Sequence, residues 1–414
     1  MPLARPTLRF PTLLAALAVA AVAAHAEPAV LRAKRLYPAP DAAPIDDAVV
    51  LVDGGKITAA GARATVSVPA RAREMGCGGG VVTAGFQNSH VHFVAPVFAG
   101  SDTSTQSKEI TAMLTRWGIT TVLDASSNPA TTILLRQRID AGVFKGPRIL
   151  TAGGGLFPPN GIPFYLAGLP KPVLDTLAQP ATPEAAVRTV RYDLDAGADG
   201  TKLFIATPQA DRSTKLMPPE VAKAAADETH RRGKLVFAHP TNVDGLRASL
   251  AAGVDVLVHT TLGIGAWPED LTKDLVARGT SLVPTLKLWG FELNKGGVPT
   301  PVQQKLIGWT QDQLKAFAVA GGQVLFGTDV GYMSEFDTTD EYVLMAGAGL
   351  TPMQILASLT TAPAARWNES ARRGRVVAGQ DADLVVLDDD PAGDVRRFAQ
   401  VRCTIRGGET IYSR

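Results

Sequence analysis

Two hydropathy textures divide the chain. Between residues 28 and 82, short apolar runs such as Val30–Tyr37 and Ala48–Val52 are separated by turn formers, with Asp53-Gly54-Gly55 as a tight turn, so this stretch reads as strands. From about residue 83 to 350, apolar runs of four to six residues alternate with helical patterns of ten to fifteen. That alternation is the signature of repeated βα units and a parallel sheet. Strands are predicted over Val81–Phe86, Ile119–Leu123, Arg148–Leu150, Gly200–Ile205, Leu235–Ala238, Val254–Val258, Ser281–Val283 and Gln323–Phe326. Helices are predicted between them over 105–117, 129–141, 184–196, 219–232, 243–252, 268–278 and 302–320. Thr182-Pro183-Glu184 and Pro218-Pro219-Glu220 supply helix starts, with proline in the first turn and an acid at the positive end of the dipole. Eight βα units in about 270 residues match a (β/α)8 TIM barrel in count and size. Asp383–Leu387 and Val401–Tyr412 then return to strand texture. The prediction is an α/β chain with a barrel over 83–365 and a small composite β-sandwich domain built from 27–82 and 366–414.

Composition narrows the function classes. Hydrophobic residues at 46% and charged residues at 19% allow a large core and exclude disorder. Forty-one basic against 39 acidic residues leave a formal charge of +2 with no basic cluster, so a nucleic-acid partner has no electrostatic footprint. Residues 1–26 read as a cleavable signal peptide: Arg5 and Arg9, an apolar run from Leu13 to Ala24, and the small-x-small pattern Ala24-His25-Ala26. The run is too short to span a bilayer, so cleavage after Ala26 is expected to release a periplasmic or secreted chain with no membrane span. Two cysteines, Cys77 and Cys403, fall in the two halves of the composite domain; a disulfide and a pair of separate buried thiols both fit.

The chemistry lies at strand ends. His90-Val91-His92 follows the first barrel strand, and residues i and i+2 of an extended chain face the same side. His239 follows Leu235–Ala238, His259 follows Val254–Val258, and Asp329 follows Val324-Leu325-Phe326-Gly327-Thr328. Active sites lie at the C-terminal ends of barrel strands, and four imidazoles with a carboxylate there form a ligand set for a divalent ion such as zinc. His230, inside a helix, is assigned to the surface. Lys202 stands within an apolar strand; a buried amine is costly to charge, becomes nucleophilic, and can capture carbon dioxide as a carbamate able to bridge two metals.

Thr83-Ala84-Gly85-Phe86-Gln87-Asn88-Ser89-His90-Val91-His92 resembles the PGxIDxHxH opening of the amidohydrolase superfamily, departing at Ala84, Gln87 and Asn88. Gly118-Ile119-Thr120-Thr121-Val122, Val254–His259, Phe326–Asp329 and Gly379–Val385 look like the same family in its order. Lys202 in Gly-Ala-Asp-x-x-Lys, with Pro284-Thr285 after strand seven, resembles the branch of prolidase-like, imidazolonepropionase-like and ochratoxin-type amide hydrolases. The resemblance implies that His90, His92 and Asp329 hold one divalent ion, that His239 and His259 hold a second, and that a CO2-derived carbamate on Lys202 bridges them. At the end of the last strand, Asp329 is also expected to be ionised and to act as the proton shuttle. The Gly-Gly-His-Gly segment of prolidase-like members is replaced here by Gly153-Gly154-Gly155-Leu156, without histidine. Within the long Gly/Pro-rich loop 153–172 and beyond strand eight, Phe157, Tyr165 and Tyr332 are candidate substrate contacts.

The function expected is a metal-dependent hydrolase of an amide or peptide-like C–N bond in a small, dipeptide-like substrate, using two Zn2+-class ions. The alternatives are hydrolytic deamination or cyclic-amide opening on the same scaffold, and a catalytically silent barrel. The sequence leaves open a homo-oligomer, the substrate's side chains and the metal's identity.

Overall fold

Gly85 is where the chain passes from one domain to the other. The structure, a computed structural model, describes residues 27–414; the leader expected over 1–26 lies outside the described residues. The strand anticipated over Val81–Phe86 is two strands. Val81–Ala84 pairs with Ala29–Leu36 and Leu384–Leu387 in the composite domain, whereas Phe86–Val91 opens the barrel. Between them a Cβ on Gly85 would stand 2.3 Å from Thr120 Oγ1, so no side chain fits where the chain crosses.

The eight barrel strands are β1 (Phe86–Val91), β2 (Ile119–Asp124), β3 (Arg148–Thr151), β4 (Gly200–Leu203), β5 (Leu235–Ala238), β6 (Val256–Val258), β7 (Ser281–Val283) and β8 (Gln323–Val324). All pair in parallel, in two arcs ordered β1-β2-β3 and β4-β5-β6-β7-β8. Backbone hydrogen bonds cross both seams. Leu156 N–H donates to Lys202 O at 2.9 Å on one side, and Ser89 N–H to Phe326 O at 2.7 Å and Asp329 N–H to His90 O at 2.9 Å on the other.

Helices form the outer layer where their end signals predict. Thr182 caps Pro183–Ala196 through the Ala185 N–H and Gly197 ends it at φ 111°; Asn242 caps Val243–Ala252 and Gly253 ends it at φ 85°. Alternate strand residues divide between two cores. Val236, Leu257 and Leu282 pack in the large cluster beneath the helices, while Phe237, Val256 and Val283 join Leu123 and Leu325 in a second, inner cluster. Lys202 is in register with Phe237 and follows that inner face.

The composite domain expected as a β-sandwich is built from one continuous sheet. Its order is Glu409–Ser413, Val401–Arg406, Leu384–Leu387, Val81–Ala84, Ala29–Leu36, Ile45–Asp53, Lys56–Ala62, with Arg73–Glu74 on Ala29–Val30. Strands four places apart in a flat sheet lie roughly 19 Å apart at about 4.8 Å per step. Yet a Cβ on Gly55 would reach 3.1 Å from the Gly407 carbonyl, so the sheet folds over on itself. Leu31, Val50, Val82, Leu384, Val386 and Ile405 fill the fold, and Cys77 is bonded to Cys403 with Cα atoms 5.9 Å apart. The disulfide, not the pair of thiols, is what this sheet contains. Among the described residues no helix is long and apolar enough to cross a membrane.

Candidate metal centre

Six side chains that the sequence singles out meet at the C-terminal ends of the strands. His90 Nε2 lies 3.1 Å from His92 Nε2, and Asp329 Oδ1 lies 3.1 Å from the first and 3.0 Å from the second. His259 Nε2 stands 4.0 Å from Asp329 Oδ2; its ring is 4.8 Å from that of His90 and 4.8 Å from that of His239. Lys202 is 1% exposed, with Nζ 5.2 Å from the Phe204 ring, which stacks on His239 at 5.5 Å. His259 and Asp329 adopt positive φ (75° and 62°), a left-handed turn that swings each side chain off the line of its strand.

Electrostatics make the cluster receptive to cations. Burial pushes His90 and His239 down to about 3 and holds His259 well below the ordinary range, so these imidazoles are neutral, as metal ligands must be. His92 goes the other way: burial lowers it, but the negative charge of Asp329, whose Oδ1 lies 3.0 Å from its Nε2, outweighs burial. Burial works against the Asp329 carboxylate, but His90 and His92 outweigh it and hold the group ionised. Burial brings Lys202 down to about 7, against the pull of Asp329 and Asp124, so the uncharged amine is accessible near neutrality.

The residues fit a metal. His90 Nδ1 and Asp329 Oδ1 are buried without a hydrogen-bond partner, although two imidazole nitrogens crowd the carboxylate oxygen. Donors around a tetrahedral ion at about 2.0–2.1 Å are separated by roughly 3.3 Å, close to the spacing of these three atoms. His92 is oriented from behind: its Nδ1 is 2.8 Å from the Ser126 carbonyl. That turn is pinned by Asp124, which accepts from Ser127 Oγ and Thr132 Oγ1, each at 2.6 Å. Asn88, the departure from the family's aspartate, donates to Thr328 Oγ1 at 2.7 Å and accepts the His90 N–H at 3.2 Å, joining strand one to the Asp329 turn.

The mouth is aromatic. Tyr165 and Tyr332 rings are 5.7 Å apart, Phe291 is 6.4 Å from Tyr332, and Tyr332 donates to Glu292 Oε1 at 2.9 Å. Trp289 stands 6.1 Å from His259. Phe157 lies deeper than a substrate contact requires; it is 1% exposed and stacks on Phe204 at 4.1 Å. His230 is on the surface, 2.8 Å from Asp255. Asp124, Trp289, Glu292 and Glu341 were not singled out by sequence, although Asp124 ends strand two just as Asp329 follows strand eight, which is a legible signal.

Residues 81–411 match the amidohydrolase family. Ochratoxinase of Aspergillus niger is 24% identical over 227 residues, 52% of this chain and 46% of that protein. An uncharacterized protein of Mycobacterium bovis is 30% identical over 259 residues, 59% of this chain and 64% of that protein. The matched segments thus span less than two thirds of each of these curated relatives. A solved Xaa-Pro dipeptidase with methionine bound in its active site superposes with a TM-score of 0.79 at 21% identity, over 94% of this chain and 100% of that one. The fold shared with it is a TIM barrel carrying an extra domain.

Proposed function

The chain belongs to the amidohydrolase family, and from that premise we propose that it hydrolyses an amide or peptide-like C–N bond in a small substrate, with His90, His92, Lys202, His239, His259 and Asp329 holding two divalent ions of the zinc class. The observation that carries the reading is the convergence of His90 Nε2, His92 Nε2 and Asp329 Oδ1 within 3.1 Å of one another without a hydrogen bond to satisfy the oxygen. When bound, such ions supply hydroxide at neutral pH and polarise the scissile carbonyl.

The protein's own groups do the rest. Asp329 is held ionised, and its Oδ2 faces the His259 side of the site. There it accepts the proton of the attacking water and delivers it to the departing nitrogen, which cannot leave as an anion. Lys202 is a carbamate in this reading; the lowered basicity of its buried amine supports that role. Tyr165 and Tyr332 wall the entrance and favour an amide with a flat or apolar substituent. A periplasmic or secreted location belongs to the same reading, supported by the Cys77–Cys403 bond, which persists in oxidising compartments.

A screen of metal-reconstituted protein against N-acyl amino acids, dipeptides and lactams tests the function. Release of an amino acid or amine supports amide hydrolysis. Release of ammonia moves the reaction to deamination, and silence across the panel with full metal content overturns the reading.

A further inference from the structure

The helix Leu286–Lys295 begins without the cap its sequence offers. Thr285 stands at the N-cap, where a threonine hydroxyl ordinarily accepts a hydrogen bond from the second or third helical N–H, and makes no such bond. Its backbone sits at φ 45°, ψ 50°, a left-handed conformation that β-branched residues rarely adopt. The hydroxyl is engaged elsewhere. It donates to the Pro284 carbonyl at 2.9 Å and lies 2.6 Å from His259 Nδ1. A hydroxyl has one proton; with that proton on Pro284, the contact with His259 is one in which the imidazole Nδ1–H donates. The unprotonated nitrogen is then Nε2, the atom that faces Asp329 at 4.0 Å.

The helix N–H groups are satisfied from another element. Glu341, fully buried on the helix Thr339–Gly347, accepts the Leu286 N–H at 3.0 Å and the Lys287 N–H at 2.8 Å. Lys287 Nζ in turn donates to the Asp337 carbonyl at 2.7 Å, fastening the segment that leads into Glu341's helix.

We propose that Glu341 and Thr285 are positioning residues for His259. Glu341 caps the helix in place of Thr285, the strained threonine is thereby held with its hydroxyl on Nδ1, and His259 is fixed in the tautomer whose Nε2 binds the second ion. The inference rests on the metal reading given above for His259.

Chelator competition on the full chain loaded with Zn2+ tests it, with His259→Ala as the reference and thermal melting as the control for folding. Thr285→Val keeps the shape and removes the hydroxyl; it is expected to weaken the ion that His259→Ala also weakens, by about 10–100-fold, with melting retained. Thr285→Ser is expected to restore affinity to within about threefold. Glu341→Gln turns one acceptor into a donor facing an N–H and is expected to weaken the same ion. Wild-type affinity in Thr285→Val overturns the proposal while leaving the metal reading in place. If His259→Ala itself holds both ions as the wild type does, His259 is no ligand, and the proposal falls with that reading.

Discussion

Two buried clusters of charge lie at opposite ends of the barrel strands, and they are built on opposite principles. At the junction with the folded sheet, each carboxylate oxygen of Asp381 and Asp383 meets a donor. Lys56 Nζ is at 2.6 Å and Arg373 Nη2 at 3.0 Å for Asp381; the Gly407 N–H is at 2.8 Å and Arg148 Nη1 at 3.1 Å for Asp383. At the other end Asp329 Oδ1 is crowded by two imidazole nitrogens and bonded to neither. Carboxylates matched within the chain make a joint, because their desolvation is offset where they stand. A carboxylate oxygen and imidazole nitrogens brought together without such donors form a set suited to a cation.

The contrast is open to attack from either end. Asp329→Asn is expected to lower turnover about 10²–10⁴-fold while melting stays near wild type. Retained metal with turnover within a few-fold of wild type removes the proton-shuttle role. If Lys202 carries the proposed carbamate, Lys202→Ala should lose one of two ions and most activity, with partial rescue by short carboxylic acids that fit the space it leaves; metal analysis and turnover with added acetate check both. At the joint the signs reverse. Replacing Cys77 and Cys403 with serine opens a closure of 326 residues and is expected to cost about 3–5 kcal/mol in denaturant unfolding, with turnover per folded molecule unchanged.

Asp381→Asn has the smallest expected effect, about 1–3 kcal/mol at pH 7. Burial works against the Asp381 carboxylate, but Lys56 and Arg373 outweigh it and hold its pKa below the ordinary value. The stability it contributes is therefore present above the unfolded pKa and lost as pH falls through the folded one. The wild type should lose stability below about pH 4 more steeply than Asp381→Asn, as melting curves across pH 3–6 would show. Equal slopes would mean that the joint does not depend on this charge.

Much of this was legible beforehand. Seven predicted helices are present within a few residues of their expected bounds, because their apolar period and end signals are local. The candidate ligands were legible for a similar reason: His239, His259 and Asp329 each come at the close of an apolar run, and His90-Val91-His92 is an i, i+2 pair, both local facts. What misled was the run Val81–Phe86, mostly apolar and yet divided between two domains at Gly85. Gly85 is the one local mark of the division; Val81–Ala84 and the start of β1 are both buried and differ only in their neighbours.

Period and chain direction decide, within a few residues, seven of the helices, most of the barrel strands and which donors stand at the barrel's C-terminal face; the helices Leu286–Lys295 and Thr339–Gly347 are not among those predicted. Packing alone settles that the two chain ends share one folded-over sheet, that Cys77 meets Cys403, and that Glu341 caps the helix so that Thr285 turns to His259. Those contacts join residues tens to hundreds of positions apart. Their stability comes from burial and from hydrogen bonds made after the elements have packed, and no local pattern encodes which distant partner that will be.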